Sequence, residues 1–585
     1  MATRLLAATL LASGLAHANS EASTAVSNGF GPSIEAAKSR GPAIFNAVND
    51  ALRQFGSSLH HNGMSFYLAT IPEGVILHHG NTNPNSPNDP DWLAFEIEHA
   101  EIFARGRHGG PGGGPPGGPP PPGDGRAKPL FDKRGGRAAF DLVHLSKDDR
   151  PQQPILEEPY ASDPQVVGSM QGEGGWLHTY RTARPLRYLY IDGMGGGKTT
   201  MGTLDSQDYL LRGDKETVYT MDKPPPPPPP PRVGKRSGGP MDEQLRAAEL
   251  CEMCGKWNLS GVIRMEAGFE IIQCDFHNGL EQIQALQRPD PSPSDGPGGP
   301  MGDFEYIRGL SERYFGIGSS RATIDYTSMV SAFFYPVNLT NPDPKRPDLP
   351  RLSNVTEAEL GAIRAHLDRV IQEKHDDVAR TIDWQDVTDL IVARYADRVQ
   401  SMAEKPRSLE SLLKELNFLL TPYIDYSGKD KDQIAAATDR CANFYLHGIS
   451  PSSEADHLIH AGIKAVTTHL CTKLFDVREL LITTSSSPNS DVLSSAVATL
   501  RSLIEYLGWA RFKRCLSCDI DEVCLIPMWP FGSKQDYESP RCVNESSVRD
   551  DGGDNYWGGY GGGPGGGPPG RRPPPGGGTD GKRPH

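Results

Sequence analysis

The sequence predicts an α+β protein with two parts: an N-terminal domain built on a mixed, mainly antiparallel sheet, then an all-α domain with a disulfide-tied end. Three observations lead to this prediction. Segments rich in β-branched and aromatic residues dominate before residue 280, helical apolar periodicity dominates after residue 350, and four cysteines cluster after residue 514. Low-complexity stretches interrupt the first part and end the chain.

Glycine and proline define the domain boundaries. The 585 residues include 65 glycines and 52 prolines, concentrated in a few stretches. Loop-closure entropy grows slowly with length, so one domain can carry long insertions. The predicted division is a signal peptide at 1–18, an α+β domain at 19–350 with disordered segments at 106–128, 223–241 and 288–302, a helical domain at 351–514, a cysteine-rich cap at 515–545 and a disordered tail at 546–585.

The first twenty residues have the layout of a secretory signal peptide. Arg4 precedes the apolar run 5–16, and Ala16-His17-Ala18 supplies the small-x-small pattern that precedes cleavage. The run is shorter than the ~20 apolar residues that span a bilayer. No other window is long and apolar enough, so we predict a secreted, extracellular or cell-wall protein without a membrane span.

Cysteines and acceptor sequons agree with export. In an oxidising compartment most cysteines form disulfides, whose connectivity the sequence leaves open. Nine is an odd number, so at least one thiol stays free or pairs between chains. The disulfide candidates are Cys251, Cys254, Cys274, Cys441, Cys471, Cys515, Cys518, Cys524 and Cys542, and the glycosylation candidates are Asn258, Asn338, Asn354 and Asn544.

Charge and composition limit the partners. The net charge is −14, from 59 Lys and Arg against 73 Asp and Glu. Binding to a phosphate backbone requires a basic surface, so nucleic acid is excluded as a partner. The Gly/Pro-rich segments act as spacers or as contacts to proteins or the cell wall. The dibasic pairs Lys133-Arg134 and Lys235-Arg236 beside these segments are either processing sites or linker charge.

Four segments before residue 280 predict the sheet. They are Ser65–Ile71, Val75–His79, Leu186–Asp192 and Gly261–Asp275. The last alternates in polarity, with Arg264, Glu266 and Glu270 on the face opposite its apolar residues. It is therefore one half-buried antiparallel strand, or two strands joined near Gly268.

Helical periodicity begins after residue 350. Thr356 and Glu359 have the spacing of a capping box and precede an apolar stripe that starts at Leu360. Similar stripes follow residues 387 and 409, and further helices are predicted at Glu454–Leu481 and Asp491–Lys513. Together these segments predict a helical domain large enough for its own core.

A glycine-rich stretch before Lys198 has some features of a phosphate-binding loop. That loop requires a glycine six residues before its lysine, and Asp192 occupies this position. No apolar helix follows, so no helix N-terminus points at the site. We therefore expect a glycine turn and not a nucleotide site.

Two patterns resemble metal or redox sites. Cys251 and Cys254 are spaced as a redox pair or half a zinc site. Both lie near the end of a predicted helix at 241–254, where thiol pKa values rise, so structural disulfides are favoured. His457 and His460 are spaced i, i+3 on one predicted helix, but His469 projects about 120° away from His457, so the three cannot bind one ion. No metal is assigned.

Two segments near the second strand suggest an enzyme. Residues 76–82 read ILHHGNT, and residues 91–105 read DWLAFEIEHAEIFAR. They resemble ADP-ribosyltransferases of the His-Tyr-Glu type, although His78 replaces the Tyr and Asn81 is inserted before Thr82. The resemblance implies that His79 and Gly80 bind NAD and that Glu266 or Glu270 is the catalytic carboxylate. The structural alternative is a buried His-Gly turn with a helix covering the sheet.

The layout as a whole resembles an uncharacterised group of secreted proteins of filamentous fungi. The signal peptide, the stretches at 189–208 and 261–276, and the cysteine-rich end carry this resemblance. It implies fungal origin and export. Two functions follow: a secreted, disulfide-containing glycoprotein without cofactor or catalysis, or a secreted ADP-ribosyltransferase-like enzyme that uses NAD. Whether the protein is an enzyme stays open at this point.

Overall fold

The fold is seen in a computed structural model. It describes residues 30–104, 175–213, 243–289, 302–317, 320–374, 382–406, 408–427, 433–484, 490–550 and 555–557. The predicted signal peptide, both dibasic pairs, the low-complexity segments at 106–128 and 223–241, and most of 288–302 lie outside the described residues.

A nine-stranded sheet forms the N-terminal half. Its strands are β1 Ser65–Ile71, β2 Ile76–Asn81, β3 Asp91–Ala94, β4 Trp176–Thr182, β5 Leu186–Ile191, β6 Gly261–Met265, β7 Phe269–Gln273, β8 Leu280–Gln287 and β9 Thr323–Ser331. The spatial order is β8-β4-β2-β3-β7-β6-β5-β1-β9. Within this sheet β5 and β6 are parallel, and the other pairs are antiparallel. The predicted mainly antiparallel sheet is confirmed.

The four predicted strands are all present. β1 has the predicted bounds, and β2 and β5 differ from the prediction at their ends. The predicted segment 261–275 is the hairpin of β6 and β7, because Glu266 to Gly268 form the connection between them. Of the two alternatives, two strands joined near Gly268 is correct.

Helices form most of the remaining structure. They are α1 Ile34–Ser39, α2 Gly41–Asn49, α3 Gln54–Leu59, α4 Ile97–Glu101, α5 Glu243–Trp257, α6 Gly302–Ser311, α7 Glu357–Glu373, α8 Trp384–Glu404, α9 Leu409–Leu420, α10 Gln433–Asn443, α11 Glu454–Thr484, α12 Ser490–Leu507, α13 Lys534–Glu538 and α14 Glu545–Asp550. A π-helix spans Ser206–Arg212, and a 3-10 helix spans Ala510–Lys513. Among the described helices, none has the length and apolarity needed to cross a bilayer.

Local sequence explains several helix ends. The predicted capping box is confirmed at the start of α7, where the Thr356 and Glu359 side chains satisfy backbone N–H groups reciprocally. The predicted helix 491–513 ends at Leu507, because Gly508 adopts a left-handed conformation with φ +56°. α5 continues past Gly255 to Trp257, and Asn258 takes the left-handed conformation at its end. The helix expected to end at Cys254 is therefore longer than predicted.

The sheet and the helices share one continuous hydrophobic core. Its buried members include Ile44 of α2, Tyr190 of β5, Val466 of α11 and Leu503 of α12. The 31-residue α11 contacts α2, α9, α10, α12 and β9. Burial of this shared apolar surface holds the helical region against the sheet.

Four disulfides use eight of the nine cysteines. They join Cys251 to Cys274, Cys441 to Cys471, Cys515 to Cys524, and Cys518 to Cys542. The last two surround a small hairpin of β10 Val523–Leu525 and β11 Arg541–Val543, so the disulfide-tied end is present as predicted. Cys254 is a free, buried thiol, and burial raises its pKa to about 12.

Part of the predicted tail packs against the domain. Tyr556 and Trp557 are buried, and the indole N–H of Trp557 donates to the carbonyl of Phe531 at 2.8 Å. Arg346 donates to the Tyr556 hydroxyl, which in turn donates to Nε2 of His61; both distances are 2.7 Å. The disordered tail predicted for 546–585 thus contains α14 at its start and this folded anchor at 555–557.

Candidate functional site

A group of buried charged side chains lies where the glycine-rich turn, α5 and the β6–β7 hairpin meet. We call Lys198, Glu243, Arg264, Glu266 and Glu270 the charge cluster. It contains both glutamates that the resemblance names as catalytic candidates. It also contains Lys198, the lysine of the glycine-rich stretch.

The hairpin places two of these groups opposite each other. Arg264 of β6 and Glu270 of β7 are direct cross-strand partners, so their side chains share one face. Arg264 Nε donates to Glu270 Oε1 at 2.7 Å, and Arg264 Nη1 donates to Gln207 at 2.7 Å. The two residues are 0% and 3% exposed. The face that carries polar residues in the sequence is therefore buried and internally paired.

A tight turn after β5 delivers the lysine. Gly193 has φ +65°, and a Cβ there would lie 2.4 Å from the backbone nitrogen of Gly63, so a side chain is sterically excluded. The turn leads Lys198 into an ion pair with Glu266 and to within 3.5 Å of Glu243. Its ammonium also lies 5.0 Å from the ring centre of Trp529. Lys198 is 5% exposed, so its positive charge serves internal partners.

Burial and neighbouring charges shift the pKa values in the charge cluster. Burial raises the pKa of Glu266 to about 7, although Lys198 beside it favours the charged form. Burial would also raise the pKa of Glu243, but Arg264 and Lys198 outweigh it and lower that pKa to about 2. For Lys198, the two glutamates outweigh burial and raise the pKa.

These shifts define what the charge cluster can do. Glu243 stays charged at physiological pH and links Arg264 to Lys198, whereas Glu266 can gain or lose a proton near neutrality. The Glu266 side chain is 19% exposed and is the most accessible of the five. Because carboxylates already occupy Lys198, the glycine turn offers no free cation to a phosphate.

His79 and Gly80 lie on β2 in the same sheet. His79 is buried, and its Nδ1–H donates to the carbonyl of Trp92 at 2.7 Å. Nε2 has no hydrogen-bond partner among the described residues, and burial lowers the His79 pKa to about 4. At Gly80 the neighbouring helix α4 fills the adjacent space, since a Cβ would lie 2.2 Å from the Ala100 carbonyl oxygen. This is the His-Gly site with a covering helix that the structural alternative describes.

Strand register separates His79 from the glutamates. His78 pairs with Ala94, and Ala94 pairs with Glu270, so these three side chains share one face of the sheet. Side chains alternate along a strand, so His79 points to the opposite face. The structure therefore brings Glu266 and Glu270 together with Lys198, but does not bring His79 to the same face as Glu270.

The other predicted positions are also located. Asn258, Asn338 and Asn354 are exposed, and Asn544 is half-buried. Thr340 links two of the sequons, because its N–H donates to Asn338 and its carbonyl accepts from Asn354. Within the described part of the chain, sulfurs of Cys515, Cys518 and Cys542 lie within 4.8 Å of one another, but all three are disulfide-bonded.

One feature was not predicted from the sequence. A cavity of about 600 Å³ lies between α2, the end of α12 and the turn after β5. Asp192 lines it, whereas in the sequence this residue stands out only as a departure from the phosphate-binding loop pattern. A carboxylate directly before a glycine turn is the one local feature that indicates a site here. The other residues that line the cavity are distant from Asp192 in sequence, so no local pattern brings them together.

Comparisons with known proteins place the chain near uncharacterised yeast proteins. The family described as the YPL277C N-terminal domain matches residues 33–293, which include β1 to β8. "Uncharacterized protein YOR389W" of Saccharomyces cerevisiae is 26% identical over 555 residues, covering 83% of this chain and 81% of that protein. "Uncharacterized protein YPL277C" of the same yeast is 30% identical over 252 residues, covering 43% of this chain and 44% of that protein.

No solved structure matches the chain. The matches support a relationship to an uncharacterised family with relatives in yeast, and they lend no support to the resemblance to ADP-ribosyltransferases. The similarity to the first of these yeast proteins extends over most of both chains and so covers the helical region as well as the sheet.

Proposed function

We propose that the protein is an exported, disulfide-stabilised glycoprotein that acts outside the cell without catalysis. The observation that carries this proposal is the set of four disulfides. Disulfides form and persist in oxidising compartments and are rare in the cytosol. They tie α5 to the β7 end, α10 to α11, and the cysteine-rich cap to itself, so three separate regions depend on oxidation.

The sequons and the charge cluster support the two other parts of the proposal. Asn338 and Asn354 are exposed on neighbouring loops, where an oligosaccharide has room. In the charge cluster, every carboxylate has a cationic partner, and His79 faces the other side of the sheet from Glu270. Such pairing links the hairpin to the glycine turn and favours a structural role for these carboxylates.

Secretion from yeast tests the export part. The full-length chain, carrying its own N-terminus, is produced in yeast beside a variant that lacks residues 2–18. We expect the full chain to be in the medium, to start at Asn19 and to lose mass when treated with endoglycosidase H. We expect the deletion variant to stay inside the cell. Retention of the full chain in the cytosol with Met1 in place would contradict the proposal.

Incubation with labelled NAD tests the absence of the transferase activity. The purified mature chain is expected to give neither NAD hydrolysis nor transfer of label to protein. NAD consumption that disappears in Glu266→Gln or Glu270→Gln, with folding unchanged by circular dichroism, would overturn the non-catalytic assignment and favour the enzyme.

A further inference from the structure

The cavity beside Asp192 has the size and lining of a small-molecule site. Its volume of about 600 Å³ falls in the range of pockets that bind drug-sized ligands. Aromatic and aliphatic side chains from α2, α12 and the 3-10 helix at 510–513 form most of its wall. Trp509 is a rigid part of this wall, stacked on Phe45 with ring centres 5.4 Å apart.

The charges that line the cavity are mostly negative. The carboxyl groups are those of Asp50, Asp192, Asp348, Glu404 and Glu505, whereas the basic groups are Lys513 and His60. His60 is already paired with Asp50 at 2.6 Å, Arg346 is paired with Asp348 at 3.0 Å, and Lys513 donates to the Tyr537 carbonyl at 2.7 Å. Among the described residues, Asp192, Glu404 and Glu505 are the carboxyl groups of this lining that have no such cationic partner. The excess of carboxylates favours a cationic ligand, and the aromatic walls favour a cation attached to an apolar body.

Two polar groups give the cavity an orientation. Asp192 is buried and lies beside the turn at Gly193, while the exposed Glu404 and Glu505 belong to the outer part of the lining. The indole N–H of Trp509 has no hydrogen-bond partner among the described residues, although the residue is only 2% exposed. A buried N–H without an acceptor costs free energy, so an oxygen on a bound ligand would stabilise it.

We propose that this cavity binds an apolar organic amine that also carries a hydroxyl oxygen. The ammonium group pairs with Asp192, the oxygen accepts from the Trp509 N–H, and the hydrocarbon part contacts the aromatic wall. The proposal does not depend on export. It is also independent of the charge cluster, because none of the five residues of that cluster lines the cavity.

Three probes with the same twelve-carbon chain test the wild-type protein. They are N-dodecylethanolamine, dodecylamine and dodecanoate, used below their micelle concentrations in isothermal titration calorimetry with the full-length mature chain. The titrations are done at pH 8, above the Asp192 pKa of about 7, so that this carboxyl group is ionised. We expect saturable 1:1 binding of both amines, with N-dodecylethanolamine about 5-fold tighter, and at least about 10-fold weaker binding of dodecanoate. Equal binding of dodecanoate, or no binding of either amine, would overturn the proposal.

Two variants separate the two polar contacts. Asp192→Asn removes the charge and keeps the shape, so both amines should bind at least about 10-fold more weakly. Trp509→Phe keeps an aromatic ring without the N–H, so only the advantage of N-dodecylethanolamine over dodecylamine should be lost. Melting temperatures establish that each variant is folded. Unchanged amine affinity in a folded Asp192→Asn protein would contradict the assigned ammonium site even if Trp509→Phe behaved as expected.

Discussion

Arg264 and Glu270 form a buried ion pair across the β6–β7 hairpin, with Arg264 Nε donating to Glu270 Oε1 at 2.7 Å. Glu243 of α5 accepts from the same guanidinium and also approaches Lys198 of the glycine turn. Glu243 therefore links the hairpin pair to α5 and to the glycine turn. Since the guanidinium is fully buried, its charge depends entirely on these protein partners.

Breaking this pair is expected to destabilise the fold. Glu270→Gln removes one of the two carboxylates that contact the buried Arg264 guanidinium and leaves Glu243 as the other, so the free energy of unfolding should fall by about 1–3 kcal/mol in urea denaturation. The matched control is Glu281→Gln on β8, which breaks the exposed cross-strand pair with Arg181 of β4 and should leave the unfolding curve unchanged. Equal curves for Glu270→Gln and wild type would show that the buried pair is not a stabilising link.

The raised pKa of Asp192 predicts that stability falls as pH rises. Burial raises this pKa from 3.8 to about 7, so between these values the folded state holds a proton that the unfolded state has released. The free energy of unfolding therefore decreases with pH in this window, by at most about 1.4 kcal/mol per pH unit from this group. In urea titrations, the free energy of unfolding of Asp192→Asn should therefore increase relative to that of the wild type as the pH rises from 4 to 7.

The control for this pH dependence is Asp521→Asn, which changes an exposed carboxyl outside the cavity. Its stability relative to wild type should stay constant across the same pH range. A constant difference for Asp192→Asn as well would mean that the Asp192 carboxyl titrates normally in the folded protein.

Cys254 should be unreactive in the native protein. Its thiol is buried, and the pKa of about 12 leaves almost no thiolate at neutral pH. Iodoacetamide should label no cysteine in the native chain, one after denaturation without reductant, and nine after reduction, as counted by intact mass. Labelling of more than one cysteine in the unreduced, denatured chain would show that a disulfide is missing.

The anchor near the C-terminus should contribute strongly to stability. Trp557 is buried against the domain, so Trp557→Ala should lower the free energy of unfolding by about 3–5 kcal/mol. Tyr556→Phe, which keeps the ring but removes the hydroxyl that links Arg346 to His61, should cost about 1–3 kcal/mol. Thermal unfolding of both variants tests this order, and a silent Trp557→Ala would contradict the packed anchor.

The sequence predicts local features of this fold well. The alternating polarity of 261–275 identifies the polar face of the hairpin, because strand side chains alternate whatever the partner. The capping box at Thr356 is likewise a contact between residues three apart. In contrast, β8 is an exposed edge strand rich in Glu and Gln, so its composition gives no strand signal. A strand of this kind forms only because its neighbour β4 supplies hydrogen bonds.

Features that depend on distant pairing could not be predicted. Lys198 contacts Glu266, which is 68 residues away in sequence. Cys274 pairs with Cys251, although Cys254 is closer to Cys274 in sequence. The position of Cys254 on α5 turns its sulfur into the core, whereas Cys251 is half-buried and faces β7. The opposite orientations of His79 and Glu270 likewise follow from the order of β2, β3 and β7, which no local pattern specifies.

The most direct test of the exported, disulfide-stabilised protein is peptide mapping of the chain purified from its natural source without reduction. The account predicts an N-terminal Asn19, the pairs Cys251–Cys274, Cys441–Cys471, Cys515–Cys524 and Cys518–Cys542, and one free thiol at Cys254. A chain that begins with Met1 and carries nine free thiols would contradict it.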